Sequence, residues 1–436
     1  MRKPMLTMLI AGMALSALAA KVDYFKPGER AVFFGDSITH GGSYVAYLQL
    51  FENLRHPGSG VRIMNCGVSG DTTAGGISRY DWDALGMKPD RVFVMFGMND
   101  VNRYAWATEK PSDAQRESRE RALKNYAENQ AKLADLLEKS GVTTVLITPT
   151  PYNQYSTMPT NENLVCCNEP GLAECAKIVR ELAKKRDLGL VEFHAPLTKL
   201  AKSRPDYTFC RDRVHPAGEG HLLMAAKILT TMGVSPIVEH SEFKAQTPNR
   251  AEFEYAPKAM PFPKLAEYEN DLQFANLTER LNREELVVTG LAEGRYALAF
   301  NGEKVGEFTA GEFAEGVNIA LLDTPNQLLA REAAKVAMKL RDHLGHYRNY
   351  PLMVMMLRNA KVNPDDRAAA DAYIDAWLAK NEKSQYISSF RHWADVYRKL
   401  RDDVGNQLAK EEELRSRLAA VRPVSAKVTV SRIGGK

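Results

Sequence analysis

The first half of the chain predicts a three-layer α/β sandwich built around a mostly parallel sheet, and two observations carry that prediction. Short apolar runs recur along it: "RAVFFG" (30–35), "VRIMN" (61–65), "RVFVMF" (91–96), "VTTVLIT" (142–148) and "LGLVEF" (188–193). Each is almost continuously apolar, as strands covered on both faces must be. The intervening segments carry helical spacing, in Tyr44, Leu48, Phe51 and Leu54 and again in Leu123, Tyr126, Leu133 and Leu137. Strand alternating with helix is the pattern of a parallel sheet with helices on both faces. A last helix near 217–232 would close this unit.

Composition bounds the rest. At 436 residues the chain is expected to hold two or three domains. Its 44% hydrophobic and 26% charged residues are those of an ordinary globular protein with a sizeable core. A net charge of +4 is too weak to be the footprint of a nucleic-acid binder. The opening "MRKPMLTMLIAGMALSALAA" reads as a signal peptide over residues 1–20. Arg2 and Lys3 precede an apolar stretch, and Ala17-Leu18-Ala19 fits the small-x-small cleavage pattern. No later stretch is apolar enough to span a bilayer, so the expectation is an exported protein, periplasmic or secreted, without stable membrane insertion. The five cysteines (66, 166, 167, 175 and 210) show no metal-ligand spacing, and one or two disulfides are possible among them.

The texture changes near residue 236. Prolines at 236, 248, 257, 261 and 263 with little periodicity predict a linker or extended arm over 236–285. Residues 286–436 then read as an accessory region of mixed β and helical structure, with 21–235 as the unit before it. Within it "LVVTGLAEGRYALAFNGEKVGEF" (286–308) predicts a small antiparallel meander, with Asn301-Gly302 as a hairpin turn. "DTPNQ" opens a helix with Thr324 as N-cap, Pro325 at its first position and Gln327 closing a capping box. Leu329, Ala333, Val336, Leu340 and Leu344 stripe that helix, Trp393, Val396, Leu400 and Val404 stripe another, and "AKVTVSR" near the end alternates like a strand returning to the meander.

Four short segments carry the chemistry. "GDS" (35–37), "GVSGDTT" (67–73) and "FGMND" (96–100) end or follow the first three strands, and "DRVHP" (212–216) lies after the fifth, before the last helix. All fall beyond carboxyl ends of strands, where open parallel sheets bind ligands. A serine hydroxyl needs a base to become a nucleophile, and histidine titrates in the right range. Ser37 is the candidate nucleophile, His215 the base, and Asp212 the group that fixes the imidazole tautomer. A tetrahedral intermediate needs donors, and the backbone N–H groups of Ser37 and Gly70 with the Asn99 side-chain amide could supply them. Singly, Ser37 reads equally as a helix cap and Gly70 as a turn glycine; in this order after these strands the four converge on one function.

With those segments in place the chain resembles the SGNH hydrolases, the GDSL esterase and lipase superfamily, over roughly residues 28–233. The resemblance implies a flavodoxin-like sandwich with strand order 2-1-3-4-5. It implies Ser37 as nucleophile, Gly70 and Asn99 completing the oxyanion hole, and Asp212 with His215 finishing the triad. Arg213 departs from the family's usual small or polar residue and is expected at the pocket mouth. Asn102, Arg103 and Tyr104 follow the oxyanion asparagine as candidate substrate-binding residues, with a plain surface role as the equal alternative. "TPTPYNQY" (148–155) leads into a loop on the same edge. His40 is assigned a structural role over that of a second base, His221 a packing role within the last helix, and Asp36 and Asp100 the holding of their loops. No metal or organic cofactor is needed. The partner is a small-molecule or polysaccharide ester, with oligomeric state left open. Export and the lack of an exposed apolar lid favour removal of O-acetyl groups from carbohydrate. A lipase or lysophospholipase-type acylhydrolase is the alternative, a non-catalytic glycan-binding protein the reading from another class, and an acyltransferase uses the same residues. For the C-terminal region, an accessory packing role stands against a carbohydrate-binding surface around Tyr296 and Phe300.

Overall fold

The computed structural model describes residues 20–160, 162–206, 210, 212–265, 277–384 and 387–434, so nearly all of the predicted leader lies outside the described residues. Strands β1 (Arg30–Gly35), β2 (Arg62–Gly67), β3 (Arg91–Met95), β4 (Thr143–Ile147) and β5 (Gly189–Val191) form one five-stranded sheet in the order β2-β1-β3-β4-β5. Every pairing in it is parallel. The apolar runs are buried because helices cover both faces; Ala31, Val32, Phe33 and Phe34 of β1 are fully enclosed. The β1–β3 register sets Phe33 beside Phe93, and their rings stack at 4.5 Å between centroids. The fold is the predicted α/β sandwich.

The covering helices are α1 (Ser37–Gly41), α2 (Ser43–Arg55), α3 (Thr73–Arg79), α4 (Asp113–Lys139), α5 (Ala173–Arg186), α6 (His194–Ser203) and α7 (Gly218–Thr231). Tyr126, Leu133 and Leu137 of the predicted stripe on α4 are buried, and Leu123 packs at its edge. Among the described residues the five cysteines form no disulfide, and all are buried, Cys167 within a kinked turn ahead of α5. Burial raises the thiols of Cys66 (to about 12), Cys175 and Cys210, so these behave as small apolar core residues.

The segment 236–285, expected as a linker, instead supplies β6 (Ile237–Lys244) and β7 (Arg250–Tyr255), followed by the short helix α8 (Leu277–Leu281). Its prolines fall between these elements, and the pairing partners lie far along the chain, so local composition concealed the strands. With β8 (Arg283–Thr289), β9 (Arg295–Phe300), β10 (Glu303–Thr309), helix α9 (Ala310–Glu315), β11 (Val317–Asn318) and the closing β12 (Ala426–Arg432), two sheets form, in orders β10-β9-β12-β7 and β11-β8-β6. The predicted meander is therefore only the hairpin β9–β10, since β8 joins the other sheet in parallel with β6. Its turn is Asn301-Gly302, both left-handed (φ +50° and +90°), as a tight hairpin requires. Strand β12 returns between β9 and β7, as its alternation predicted. Tyr296 and Phe300 are buried in the core between these sheets, which removes them as a carbohydrate-binding surface.

Among the described residues five further helices follow: α10 (Pro325–Tyr347), α11 (Asn349–Asn359), α12 (Arg367–Lys380), α13 (Ile387–Leu400) and α14 (Val404–Ala419). Thr324 caps α10 by accepting from the Gln327 N–H at 3.2 Å, and Pro325 takes the first position. Gln327 does not close the capping box. Its side chain turns to the Ala320 and Phe262 carbonyls and accepts from the Lys264 N–H. Ala333 and Leu340 of the predicted stripe on α10 are buried, but the face turned to Leu50 and Leu54 of α2 is made by Ala330, Ala333, Ala334 and Ala337, and Leu329 is 37% exposed. Four alanines allow α10 to lie close along the first half. Val404 belongs to α14 rather than α13, because the chain turns at 401–403.

Candidate active site

β1 ends at Gly35, and the chain enters α1 at once. The Asp36 carboxylate accepts the Ile38 N–H at 3.0 Å as the N-cap, so Asp36, and not Ser37, is the capping residue. That frees the Ser37 hydroxyl. At the first helical position its N–H also has no intrahelical acceptor. The one-turn helix presses on β2 so closely that a Cβ at Gly67 would lie 2.1 Å from the His40 nitrogen. Glycine is required there.

Ser37 Oγ lies 2.8 Å from His215 Nε2, and His215 Nδ1 lies 2.6 Å from Asp212 Oδ2. Since a carboxylate only accepts, Nδ1 carries the proton and Nε2 is left to accept from the serine hydroxyl. The other Asp212 oxygen takes the backbone N–H of His215 at 2.7 Å and of Val214 at 3.0 Å. Burial works to raise the Asp212 pKa, but the hydrogen bonds from His215 outweigh it and hold the carboxyl well below its usual range. The same bond raises His215 against the opposing effect of burial. The imidazole and the carboxylate are both exposed at the sheet edge.

Gly70 has φ +77°, in the region that favours glycine. Asn99 is held at both ends of its amide: Nδ2 donates to the Asp71 carbonyl at 2.8 Å, and Oδ1 accepts from Arg103 Nη1 at 3.0 Å. One amide N–H remains beyond these bonds. Beneath lie two buried carboxyls. Burial raises Asp36 to about 7 and Asp100 to about 6, and Asp100 accepts the Thr73 N–H at 2.8 Å.

The remaining candidates divide. Arg103 supports Asn99 and lies 3.7 Å from Glu162. Asn102 is turned away, donating to Ser118 of α4 at 2.8 Å, and Tyr104 is 61% exposed. Arg213, expected at the pocket mouth, is buried instead. Its guanidinium donates to the carbonyls of Asn153, Gln154 and Ser156 and to Asn163, pinning the loop after β4. Its φ of +67° turns the side chain inward beside the exposed Asp212 and His215. His221 is buried and stacks on Tyr44 at 5.9 Å. Burial lowers His40 to about 4, so it is a neutral structural link and no second base.

The sequence reading missed what stands behind Gly70. Arg79 of α3 and Arg348, between α10 and α11, both bind Asp83, and all three are buried. The Arg79–Asp83 spacing of four residues is a helical ion-pair signal, but nothing local marks Arg348.

Residues 33–223 match the model of the GDSL-like lipase/acylhydrolase family. This segment belongs to that family. The chain is accordingly a carboxylic ester hydrolase. It is similar to an acetylxylan esterase from Geobacillus stearothermophilus, 26% identical over 226 residues, covering 47% of this chain and 94% of that protein. It is also similar to the uncharacterized lipoprotein YqeF of Bacillus subtilis (strain 168), 34% identical over 130 residues, or 28% of this chain and 49% of that protein. Among solved structures, a gut microbial diltiazem-metabolizing enzyme superposes with a TM-score of 0.81 at 24% identity, over 95% of this chain and 100% of its own. That likeness extends the shared fold beyond the acylhydrolase segment to the C-terminal sheets and helices.

Proposed function

We propose that the protein is an exported serine esterase that removes O-acetyl groups from carbohydrate, with residues 21–235 as the catalytic domain and the rest as a second region. The observation that carries the reading is the hydrogen-bond chain from Ser37 Oγ through His215 to Asp212. In this mechanism Ser37 Oγ attacks the ester carbonyl carbon while its proton passes to His215 Nε2. Asp212 stabilises the imidazolium. The oxyanion accepts from the N–H groups of Ser37 and Gly70 and from the Asn99 amide. His215 then protonates the departing alcohol, and the acyl group stays on Ser37. Water, deprotonated by His215, attacks that acyl-enzyme; the acid leaves and Ser37 regains its proton. No step draws on a metal or organic cofactor.

The acetyl and carbohydrate assignment is supported by the relative named as an acetylxylan esterase. Export is supported by the leader pattern and is compatible with the lipoprotein relative. No helix among the described residues is long and apolar enough to cross a membrane. The test is initial rates on p-nitrophenyl acetate, butyrate and octanoate, then on acetylated xylan, for the mature chain and Ser37→Ala. A strong acetate preference lost in the variant, with acetate released from the glycan, is the expected outcome. Preference for octanoate would move the substrate to lipid, and transfer of acetyl to added sugar in place of release would make it an acyltransferase.

A further inference from the structure

We infer that the C-terminal half completes the catalytic edge, with Arg348 as a positioning residue for the loop that carries Gly70. The inference rests on the roles proposed above for Ser37, Gly70 and Asn99.

Arg348 joins α10 to α11, and its guanidinium is buried against the first half of the chain. Nε donates to the Gly67 carbonyl, and Nη1 and Nη2 take the two carboxylate oxygens of Asp83 at 3.0 and 2.5 Å. Asp83 is shared with Arg79, which donates in turn to the Cys66 carbonyl at 2.9 Å, the Gly35 carbonyl at 3.0 Å and Asp71 Oδ2 at 2.8 Å. Two guanidinium groups from opposite halves of the chain thus hold both ends of the segment 67–71 through one carboxylate. The Asp71 carbonyl accepts the Asn99 amide, so the same network reaches both candidate oxyanion donors beyond Ser37.

A second strut runs through His40. The Ser69 N–H donates to His40 Nδ1 at 3.2 Å, which makes Nδ1 the acceptor and leaves Nε2–H to donate to the Gly345 carbonyl at 3.1 Å. The peptide before Gly70 is therefore tied to the last turn of α10. Buried charge pairs of this kind are costly to assemble, and they fix a geometry more than they add stability. Here the fixed geometry is that of a loop whose N–H must point at a developing charge. A displacement of such a donor by a fraction of an ångström reaches the transition state more than the ground state.

The test compares the full-length protein with Arg348→Ala, Arg348→Lys and Arg62→Ala on p-nitrophenyl acetate, with thermal melts and Ser37→Ala as background. Arg62→Ala breaks the exposed Arg62–Glu412 pair, a contact between the same halves that touches none of the site. Arg348→Ala is expected to lower kcat on the order of 10- to 100-fold with KM nearly unchanged, the signature of a lost transition-state interaction. Millimolar guanidinium should restore part of that kcat, and Arg62→Ala should leave kcat at the wild-type value. A folded Arg348→Ala protein with wild-type kcat would overturn the inference. So would a loss that only tracks the unfolded fraction and does not respond to guanidinium. If Arg348→Ala does not fold, Arg348→Lys decides: reduced kcat at unchanged KM supports the role, and wild-type kcat overturns it. Wild-type turnover that does not depend on Ser37 would overturn the site reading itself, which the Ser37→Ala background reports separately.

Discussion

Two charged clusters lie a few residues apart in this molecule and differ in solvation. The Ser37–His215–Asp212 chain stands at the open edge of the sheet, where imidazole and carboxylate are exposed. The Arg79–Asp83–Arg348 cluster lies behind the adjacent loop with all three side chains buried. At the first, the hydrogen bond to Asp212 raises the His215 pKa against the opposing effect of burial. At the second, burial alone would raise Asp83, yet the two guanidinium groups hold it below its usual range. One cluster is suited to moving protons, and the other to keeping backbone still.

The sharpest way to break this contrast is to remove the orienting carboxylate from the exposed chain. Asp212→Asn should lower kcat/KM by roughly 10³- to 10⁴-fold with little change in the thermal midpoint, as loss of the wrong-tautomer guard does in Ser-His-Asp enzymes. The sign of its pH effect is fixed by the raised pKa of His215. With His215 as the proposed base, turnover requires the neutral imidazole, so kcat/KM should fall as pH drops through a value above the ordinary histidine pKa. In Asp212→Asn that acidic limb should move to lower pH. A limb that stays in place would show that His215 is not the titrating base.

The buried cluster should respond in stability as well as in turnover. Asp83→Ala leaves two buried guanidinium groups uncompensated and should cost about 3–5 kcal/mol in urea denaturation. A cost under about 1 kcal/mol would mean that water already reaches the cluster, as it does for exposed pairs. The smallest effect is expected from Thr324→Ala, which removes the cap of the helix that delivers Arg348. It should cost about 1 kcal/mol of stability and leave kcat unchanged, since the packing of α10 on α2 persists. A parallel loss of kcat would show that the helix end, and not Arg348 alone, sets the loop.

Much of the first half was legible because its information is local. Apolar runs read as strands, and the glycine, serine, asparagine and histidine segments follow strands whose carboxyl ends share one edge. The second half was less legible. The prolines over 236–263 suggested an arm, whereas β6 and β7 owe their existence to partners at 283–289 and 426–432. The stripe on α10 kept Ala333 and Leu340, but Ala330, Ala334 and Ala337 were missed because alanine, apolar but small, carries the contact there. Arg213 was expected at the pocket mouth, and only the distant loop carbonyls it pins show why it is buried.

What the sequence by itself determined was the sheet, its covering helices and which residue types stand at its edge, since period, turn chemistry and strand-end position are properties of short segments. Tertiary structure alone decided the distances of 2.8 and 2.6 Å that join Ser37 to His215 and His215 to Asp212. It also decided that an arginine at position 348 would neutralise an aspartate at 83. Such a pairing has no local signature, because burial gives each charge its meaning only after distant elements have excluded the water between them.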